Sequence, residues 1–478
     1  MTTSHKMLEI SKEQFDVFFY GRTPYVKTFS EEICWFKFIK DDVTILATIV
    51  FCKIDNDYNA IFLGRDLDKK FRAIKVIVSR ESKDDLITDM EKAIPELLSL
   101  HKNGCFIQGD ESESAFSIFL AKVPEHKKNV YLRMLLEEPK HYPAFIVMQE
   151  LAYWCKDPDG IFIRDFQSAS FNSRLFELYL NAVFYEMDFV ICRDYAQPDY
   201  IISKNGIDIA VEAATVAEQE EPTEKLILDH EAVEDLQRYV KEQMPFKFAR
   251  TLLKKVRHKP EPLKLCYWEL DHTKGKPFII ALHDYSHRLS MSISMPALQS
   301  YLYGVDMDSG SKIEQHLFEN RSIPSNFFGS NKNENVSAIL LATHATIPKF
   351  DRMGVVAGIE QKNVKSIVRG IKTDEGCTPM PFTALVNAPS YQEPWCTAIY
   401  MFHNPKALNP IRPELFPRVI HIFEEDGEIV QYLPPNYIIS STTHVFEFML
   451  FKTLWVPPIG FHPLSKFLPL SPNPCLHF

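Results

Sequence analysis

Two carboxylates near the middle of the chain have a type and spacing that could hold a metal ion. Asp199 stands beside Pro198 at the start of one strand-like run, and Glu212 lies on the next run. Asn205-Gly206 between them is a strong signal for a two-residue hairpin turn, which would bring the two acids to the same level of a sheet. The other interpretation is that they are two ordinary polar positions on a hairpin.

The residues around Glu212 are small on one side of the strand. Strand alternation places Glu212 on the same face as Ala210 and Ala214, opposite the apolar side chains of Ile209 and Val211. Small neighbours leave space above the carboxylate, as a ligand site requires.

Glu177 is a third carboxylate, on the helical segment that comes before these strands. Leu180 and Phe184 follow it at helical spacing, so Glu177 points toward an apolar face. A carboxylate there costs free energy unless it is paired or binds a cation. Arg174, three residues earlier, could provide the pairing by itself.

Three converging carboxylates repel one another and resist ionising together, whereas a hard divalent cation removes that conflict. Mg²⁺ takes few protein carboxylates and keeps waters and substrate phosphate oxygens as its other ligands. A bound metal also activates a water and neutralises charge at phosphorus. These residues therefore predict hydrolysis of a phosphate ester with Mg²⁺, for which Mn²⁺ could substitute.

The segments that carry these residues follow the order helix, three strands, helix, strand. The first helix is predicted over 172–187, with Asn172 or Ser173 as its cap. The second is predicted from about 223 to 258, interrupted at Pro245. The four strand-like runs are DFVICR, PDYIIS, GIDIAVEAA and PFIIALHD.

This ordered set, with PD on the second strand and Glu on the third, resembles the PD-(D/E)XK nuclease superfamily, the restriction-endonuclease-like fold. The resemblance covers about residues 170–285. It implies that Asp199 and Glu212 are metal ligands and that Glu177 is the assisting helix carboxylate.

The chain departs from the family pattern at the motif lysine, because that position is Ala214. Some members of the family supply the lysine from the following helix instead. On that basis Lys255 is the predicted catalytic lysine, with Lys254 next to it and Lys204 in the hairpin turn as a further candidate. The missing lysine also leaves open a loss of catalysis.

Charge is unevenly distributed along the chain, although the net charge of −10 excludes a generally basic nucleic-acid binder. Residues 238–264 contain nine Lys or Arg against two Glu, and 218–235 contain eight acids against one Lys. Either run alone is typical of a solvated helix face. Beside a metal site, however, a basic helix suits a polyanionic backbone. The predicted nucleic-acid contacts are Arg250, Lys254, Arg257 and Lys259.

Other functional classes lack their signals. The chain has no P-loop, no G-x-S-x-G and no G-x-G-x-x-G motif, which disfavours P-loop ATP hydrolysis and serine-hydrolase chemistry. Its nine Cys include no C-x-x-C pair, and the first residues do not form a signal peptide. The apolar stretch near the C-terminus is interrupted by charges and prolines. We expect a cytoplasmic protein with free thiols and no membrane partner.

The length of 478 residues predicts a multidomain protein of mixed α+β and α/β class. We divide it into an N-terminal α+β domain over 1–135, a nuclease-like domain over 150–305 and a C-terminal mixed α/β region over 306–478. The central domain is predicted to have a restriction-endonuclease-like α-β-β-β-α-β core, on which the C-terminal region could pack.

The function implied by the resemblance is a Mg²⁺-dependent endonuclease that cleaves nucleic acid, with double-stranded DNA favoured, in restriction or anti-phage defence. Many nucleases of this type act as dimers to cut both strands, so a homodimer is compatible with it. The alternative is a catalytically inactive nuclease-like module that binds nucleic acid or serves assembly. A third interpretation is an interaction protein in which Glu177 and Arg174 form a buried pair.

Overall fold

A computed structural model describes residues 6–111, 115–158, 160–217, 230–259, 264–359, 362–376 and 378–448. The first part of the acidic run 218–235, up to residue 229, and the start of the predicted helix at 223 lie outside these residues. The seven cysteines in the described ranges are all free thiols. No helix in those ranges is long and apolar enough to span a bilayer.

The N-terminal part is an antiparallel meander covered by a helix. Its five strands pair in sequence order, with short connections between the second, third, fourth and fifth strands and a longer one that contains a short helix between the first and the second. Alternating apolar residues of the strands meet the apolar stripe of the helix, for example Ile45 and Ile49 with Met90 and Ile94. The elements are β1 Leu8–Ile10, α1 Lys12–Asp16, β2 Ser30–Lys40, β3 Val43–Cys52, β4 Asp57–Arg65, β5 Phe71–Arg80 and α2 Lys83–Leu100.

Four helices follow, and the last of them carries Glu177. They are α3 Val130–Glu137, α4 Tyr142–Tyr153, α5 Phe162–Phe166 and α6 Phe171–Glu186. Helix α6 begins one residue before the predicted start, and its N-cap is Ser170 without a side-chain capping bond. The predicted caps Asn172 and Ser173 were therefore wrong, because the apolar Phe171 already lies inside the helix and is buried.

An eight-stranded mixed sheet forms the centre of the molecule, in the order β17-β16-β15-β12-β9-β8-β7-β6. Strands β6, β7 and β8 are antiparallel, whereas β9 is parallel to both β8 and β12. The strands are β6 Val190–Cys192, β7 Tyr200–Lys204, β8 Ile207–Val216, β9 Phe278–Asp284, β12 Ala338–Ala342, β15 Ile399–His403, β16 Ile420–Glu425 and β17 Glu428–Tyr432. Segment 306–478 thus supplies half of the strands of the sheet that carries the predicted site.

The remaining elements flank this sheet or form small sheets of their own. Strands β10 and β11 make a hairpin, and β13 pairs with β14 and β18 in a three-stranded sheet. The flanking elements are α7 His230–Arg238, α8 Met244–Val256, α9 Ser290–Tyr303, β10 Gln315–Phe318, β11 Arg321–Pro324, α10 Ile347–Val356, β13 Val364–Thr373, β14 Pro379–Leu385 and β18 Ile438–Glu447.

Helices α6 and α8 cover opposite faces of the central sheet. The buried residues of α6 pack with Ile209 and Val211 of β8. Those of α8 pack with Ala210 and Ala214. A π-helical segment, Tyr239–Gln243, joins α7 to α8, so the predicted interruption near Pro245 falls in the first turn of α8, where proline is tolerated. Each side of the predicted carboxylate pair is therefore covered by a different helix.

Candidate functional site

The hairpin β7–β8 brings Asp199 and Glu212 together. Asn205 and Gly206 have φ of 53° and 77°, the positive values that a two-residue hairpin turn requires at both central positions. Tyr200 pairs with Val211, so the residues just beyond this pair are Asp199 and Glu212. The prediction that the two acids lie at the same level of the sheet is confirmed.

Backbone hydrogen bonds couple the two carboxylates across the hairpin. The Ala213 N–H donates to Asp199 Oδ2 at 2.8 Å. The Asp199 N–H donates a longer bond, 3.3 Å, to Glu212 Oε2. Asp199 is half-buried and Glu212 is buried. The pair is therefore held by main-chain contacts that do not depend on either side chain being neutral.

Glu212 receives two further donors from the α8 side of the sheet. Lys255 Nζ lies 2.5 Å from Glu212 Oε1, and the Tyr267 hydroxyl donates to the same oxygen at 2.8 Å. Lysine and tyrosine can approach here because Glu212 shares its face with the small residues Ala210 and Ala214. Thus Lys255, predicted as the substitute lysine, contacts the predicted metal ligand although 43 residues separate them.

The electrostatics of this group are dominated by burial and by the second acid. The pKa of Glu212 is raised to about 7, because burial and the charge of Asp199 raise it by more than Lys255 and Tyr267 lower it. Burial alone would lower the pKa of Lys255, but Glu212 and Asp199 outweigh it and the pKa is raised. Lys255 therefore remains a cation while Glu212 is poised between its two protonation states near neutral pH.

Glu177 lies on the other face, between two arginines. Arg174 Nη1 donates to Glu177 Oε1 at 2.7 Å, which confirms the pair expected from the i, i+3 spacing. Arg193 Nη2 donates to the other oxygen, and Arg174 also donates to Asp165. Burial and the charge of Asp199 raise the pKa of Glu177, while the two arginines oppose that rise. Because both of its oxygens accept bonds from arginine, Glu177 is poorly placed to ligate a metal.

The three candidate lysines differ in where their side chains lie. Lys255 keeps 24% side-chain exposure beside Glu212, whereas its neighbour Lys254 is exposed to solvent. Lys204 donates to the main-chain oxygens of Met187 and Leu415, away from Glu212. Only Lys255 of these three contacts the carboxylate pair in the described structure.

The predicted nucleic-acid contacts form an exposed basic surface on and after α8. Arg250, Lys254 and Arg257 are spaced by four and three residues, so they share one face of the helix, and all three are exposed. Lys259 is 53% exposed and lies 3.9 Å from Glu269. This basic stripe, defined as Arg250, Lys254, Arg257 and Lys259, belongs to the same segment as Lys255.

A divalent cation fits the Asp199–Glu212 pair better than it fits the full set of three acids. In the described structure Glu212 Oε2 accepts only the long 3.3 Å bond, and Asp199 keeps Oδ1 besides the oxygen bonded to Ala213. Two carboxylate oxygens leave the remaining positions of an octahedral Mg²⁺ to waters and phosphate oxygens, as that ion prefers. Asp199 and Glu212 are therefore the residues that would hold it.

A different group in the described ranges has three potential ligand atoms within 4.8 Å of one another. It consists of Cys52, Asp55 and Asp57, at the turn between β3 and β4. Asp55 is exposed and the other two are half-exposed. An acidic surface turn of this kind is common without a bound ion, so it does not compete with the buried pair on β7 and β8.

Two residues of the site, Arg193 and Tyr267, were not predicted from the sequence. Arg193 follows β6 and lies over the Tyr200 ring at 4.7 Å; its one sequence signal is a charge at the end of the apolar run DFVIC. Tyr267 lies in the connection between α8 and β9, where no periodic pattern indicates which way a side chain points.

Comparisons of the chain with protein-family models, with curated proteins and with solved structures found no match. The restriction-endonuclease-like assignment therefore remains a prediction from the motif order. The fold itself is of mixed α and β class with several sheets.

Proposed function

We propose that this chain is a metal-dependent nuclease that hydrolyses phosphodiester bonds, with DNA favoured as the substrate. The observation that carries the proposal is the 2.5 Å contact between Lys255 and Glu212, with Asp199 bonded to the same strand. Two acids and a lysine are the residue types that the motif resemblance implies. Their meeting depends on a helix far from the hairpin in sequence, so the hairpin turn alone cannot explain it.

The chemistry follows from what each residue can do at a phosphate. Asp199 and Glu212 would hold Mg²⁺ or Mn²⁺, which supplies a more acidic bound water and neutralises charge on phosphate oxygens. Lys255 remains protonated beside them, so its ammonium group could orient the attacking water or stabilise the negative charge that develops. Tyr267 shares Glu212 Oε1 with Lys255 and positions that carboxylate.

The basic stripe supports a polyanionic substrate. Arg250, Lys254 and Arg257 lie on the exposed face of the helix whose inner face presents Lys255. The helix that supplies the predicted catalytic lysine therefore also carries three exposed cations that would bind phosphates. Each phosphate contact of this kind releases counterions, so binding should weaken steeply as salt increases.

A role in restriction or anti-phage defence, and a homodimer that cuts both strands, form the part of the proposal that depends on the family resemblance alone. They specify neither the sequence nor the modification that would be recognised. The site residues named above do not depend on them.

A second candidate function is a catalytically inactive module that binds nucleic acid. It is favoured by the pairing of the carboxylates, because Lys255 neutralises Glu212 and two arginines neutralise Glu177 without a metal. The inactive module is also favoured because position 214, where the family motif has a lysine, is an alanine. Such a module would bind DNA through the basic stripe and would not require Mg²⁺.

The test is cleavage of supercoiled plasmid by the purified full chain with Mg²⁺, with Mn²⁺ and with EDTA. We expect metal-dependent nicking that is lost in Asp199→Ala and in Glu212→Ala. Asp208→Ala is the matched control, because Asp208 shares the strand and face of Glu212 but pairs with Lys276 at 2.8 Å. That variant should cleave like the wild type.

Each other outcome has a definite meaning. Salt-sensitive DNA binding without cleavage under any metal condition would favour the inactive module. Cleavage that persists in both Asp199→Ala and Glu212→Ala would reject this site. If the chain shows no cleavage and no DNA binding, a nucleic-acid function is rejected and the interaction protein is favoured.

A further inference from the structure

An exposed aromatic pair lies next to the candidate site. The rings of Tyr195 and His272 are stacked with centroids 3.8 Å apart and an interplanar angle of 3°. Tyr195 is 43% exposed even though one of its faces is covered by the imidazole. His272 is partly buried, and its Nε2 lies 2.7 Å from the main-chain oxygen of Gln197.

The stacked pair joins the two connections that build the site. Tyr195 lies in the connection from β6 to β7, four residues before Asp199. His272 lies in the connection from α8 to β9, five residues after Tyr267, which contacts Glu212. Four residues span at most ~14 Å of extended chain. A base stacked on Tyr195 would therefore lie within a few nucleotides of a phosphate at the carboxylate pair.

We propose that Tyr195, supported by His272, is a stacking platform for a nucleobase, and that the substrate is single-stranded or locally unpaired where it meets the site. This inference depends on the proposed function and names its substrate class. The faces of a base inside a duplex are covered by its neighbours, so an exposed ring at this position can stack on a base only where the stack is interrupted, as in a single strand or an unpaired segment. Stacking of this kind tolerates every base, because each base has a π face.

The surroundings suit such a strand. Lys274 is exposed two residues after His272, and the basic stripe lies on the helix that precedes the same connection. Cationic side chains beside an aromatic platform are the usual way to hold phosphates and bases of a single strand together. The imidazole already orders the phenol ring, so binding a base should cost less side-chain entropy than it would on a free tyrosine.

The experiment measures fluorescence anisotropy of labelled oligonucleotides with the full chain in EDTA, where no cleavage interferes. The probes are a twelve-nucleotide single strand, the same backbone with abasic sites, and a blunt duplex. Tyr195→Ala should weaken single-strand binding about 5- to 140-fold and leave abasic binding unchanged. Tyr195→Phe should bind like the wild type, because a phenyl ring stacks as a phenol does.

Tyr432→Ala is the matched control. Tyr432 is 52% exposed on β17, at the edge of the central sheet opposite to β6. Its removal should change binding to none of the three probes.

Three results would overturn the platform. One is Tyr195→Ala binding the single strand as the wild type does. Another is an equal loss on the abasic strand, which would mean that the stack only orders the connection. The third is a wild-type chain that binds no oligonucleotide. Plasmid cleavage that requires Asp199 and Glu212, together with unchanged binding by Tyr195→Ala, would reject the platform and leave the proposed nuclease standing.

Discussion

Two groups of buried charges in this molecule contain similar residues but differ in their charge balance. The first is the candidate site with Asp199, Glu212 and Lys255. The second lies at α10, where Glu393 accepts bonds from Lys349 at 2.7 Å and from Arg352 at 2.7 and 2.8 Å. All three residues of the second group are fully or almost fully buried.

The pKa values of the central carboxylates shift in opposite directions. Burial alone would raise the pKa of Glu393, but Arg352 and Lys349 hold it well below its usual value. The pKa of Glu212 rises to about 7 because burial and Asp199 outweigh the one lysine. Excess cations make a stable structural cluster, whereas excess carboxylates leave a site that gains from binding a further cation. Charge balance, rather than burial, therefore distinguishes the functional candidate.

The largest effect that we expect concerns the stability of the α10 cluster. Glu393→Ala removes the shared partner of Lys349 and Arg352 and should lower the free energy of unfolding by about 3–5 kcal/mol, since two buried cations lose their counter-charge. Glu212→Gln should lower the free energy of unfolding much less. Lys255 would still interact with Asp199, and its side chain is partly exposed to solvent. Urea unfolding of both variants at pH 8 in EDTA measures the difference. Equal losses of unfolding free energy in the two variants would contradict the distinction between a structural charge cluster and a functional site.

A smaller effect separates the neighbouring lysines and depends on the proposed function. Lys255→Ala should slow metal-dependent cleavage about 10²- to 10³-fold, since it removes a positioned cation from the reacting phosphate. Lys254→Ala is the matched control: with enzyme in saturating excess it should cleave at nearly the wild-type rate and lose only DNA affinity, because Lys254 belongs to the exposed basic stripe and does not contact the carboxylate pair. Single-turnover cleavage rates test this. Equal rates for the two variants would reject a catalytic role for Lys255.

The pH dependence of stability should also distinguish the two groups. A folded-state pKa near 7 for Glu212 means that its protonated form stabilises the chain below pH ~4.5, and that this stabilisation is lost as pH rises to about 7. The loss amounts to at most about 3 kcal/mol. The pH dependence that Glu393 contributes has the opposite sign. Because its pKa is lowered in the folded state, its contribution to stability is lost as the pH falls.

Denaturation of the wild type and Glu212→Gln between pH 5 and 8, both in EDTA, isolates the contribution of Glu212. We expect the wild type to lose stability relative to the variant across this range. Two parallel stability curves would contradict the raised pKa of Glu212.

The smallest effects belong to the exposed basic stripe, which neither buried group resembles. Arg250→Ala or Arg257→Ala should each reduce the slope of log K against log salt for DNA binding by ~0.7–0.9, without changing sequence preference. Lys92→Ala, on the exposed face of α2, is the control and should leave the slope unchanged. Binding titrations at several salt concentrations measure this, and a slope unaffected in both stripe variants would remove the stripe from the interface.

Local signals in the sequence determined the hairpin and the helix pair. Asn205-Gly206 specifies the turn because its two residues tolerate positive φ, and the turn then sets the register that aligns Asp199 with Glu212. Arg174 and Glu177 meet because residues three apart on a helix are neighbours. The sequence also indicated which way Lys255 points, because Lys255 follows Phe248 and Leu252 at helical spacing on the buried face of α8.

Tertiary structure decided which distant groups complete the site. Arg193 reaches Glu177 from the connection after β6, and Tyr267 reaches Glu212 from a three-residue 3-10 helix, Tyr267–Glu269; both segments are too short for periodicity to fix the direction of a side chain. The extension of the sheet by β12 and β15–β17 likewise depends on pairing between strands far apart in sequence. Such contacts form only when packing of the whole core brings the strands and connections together, so short-range propensity could not predict them.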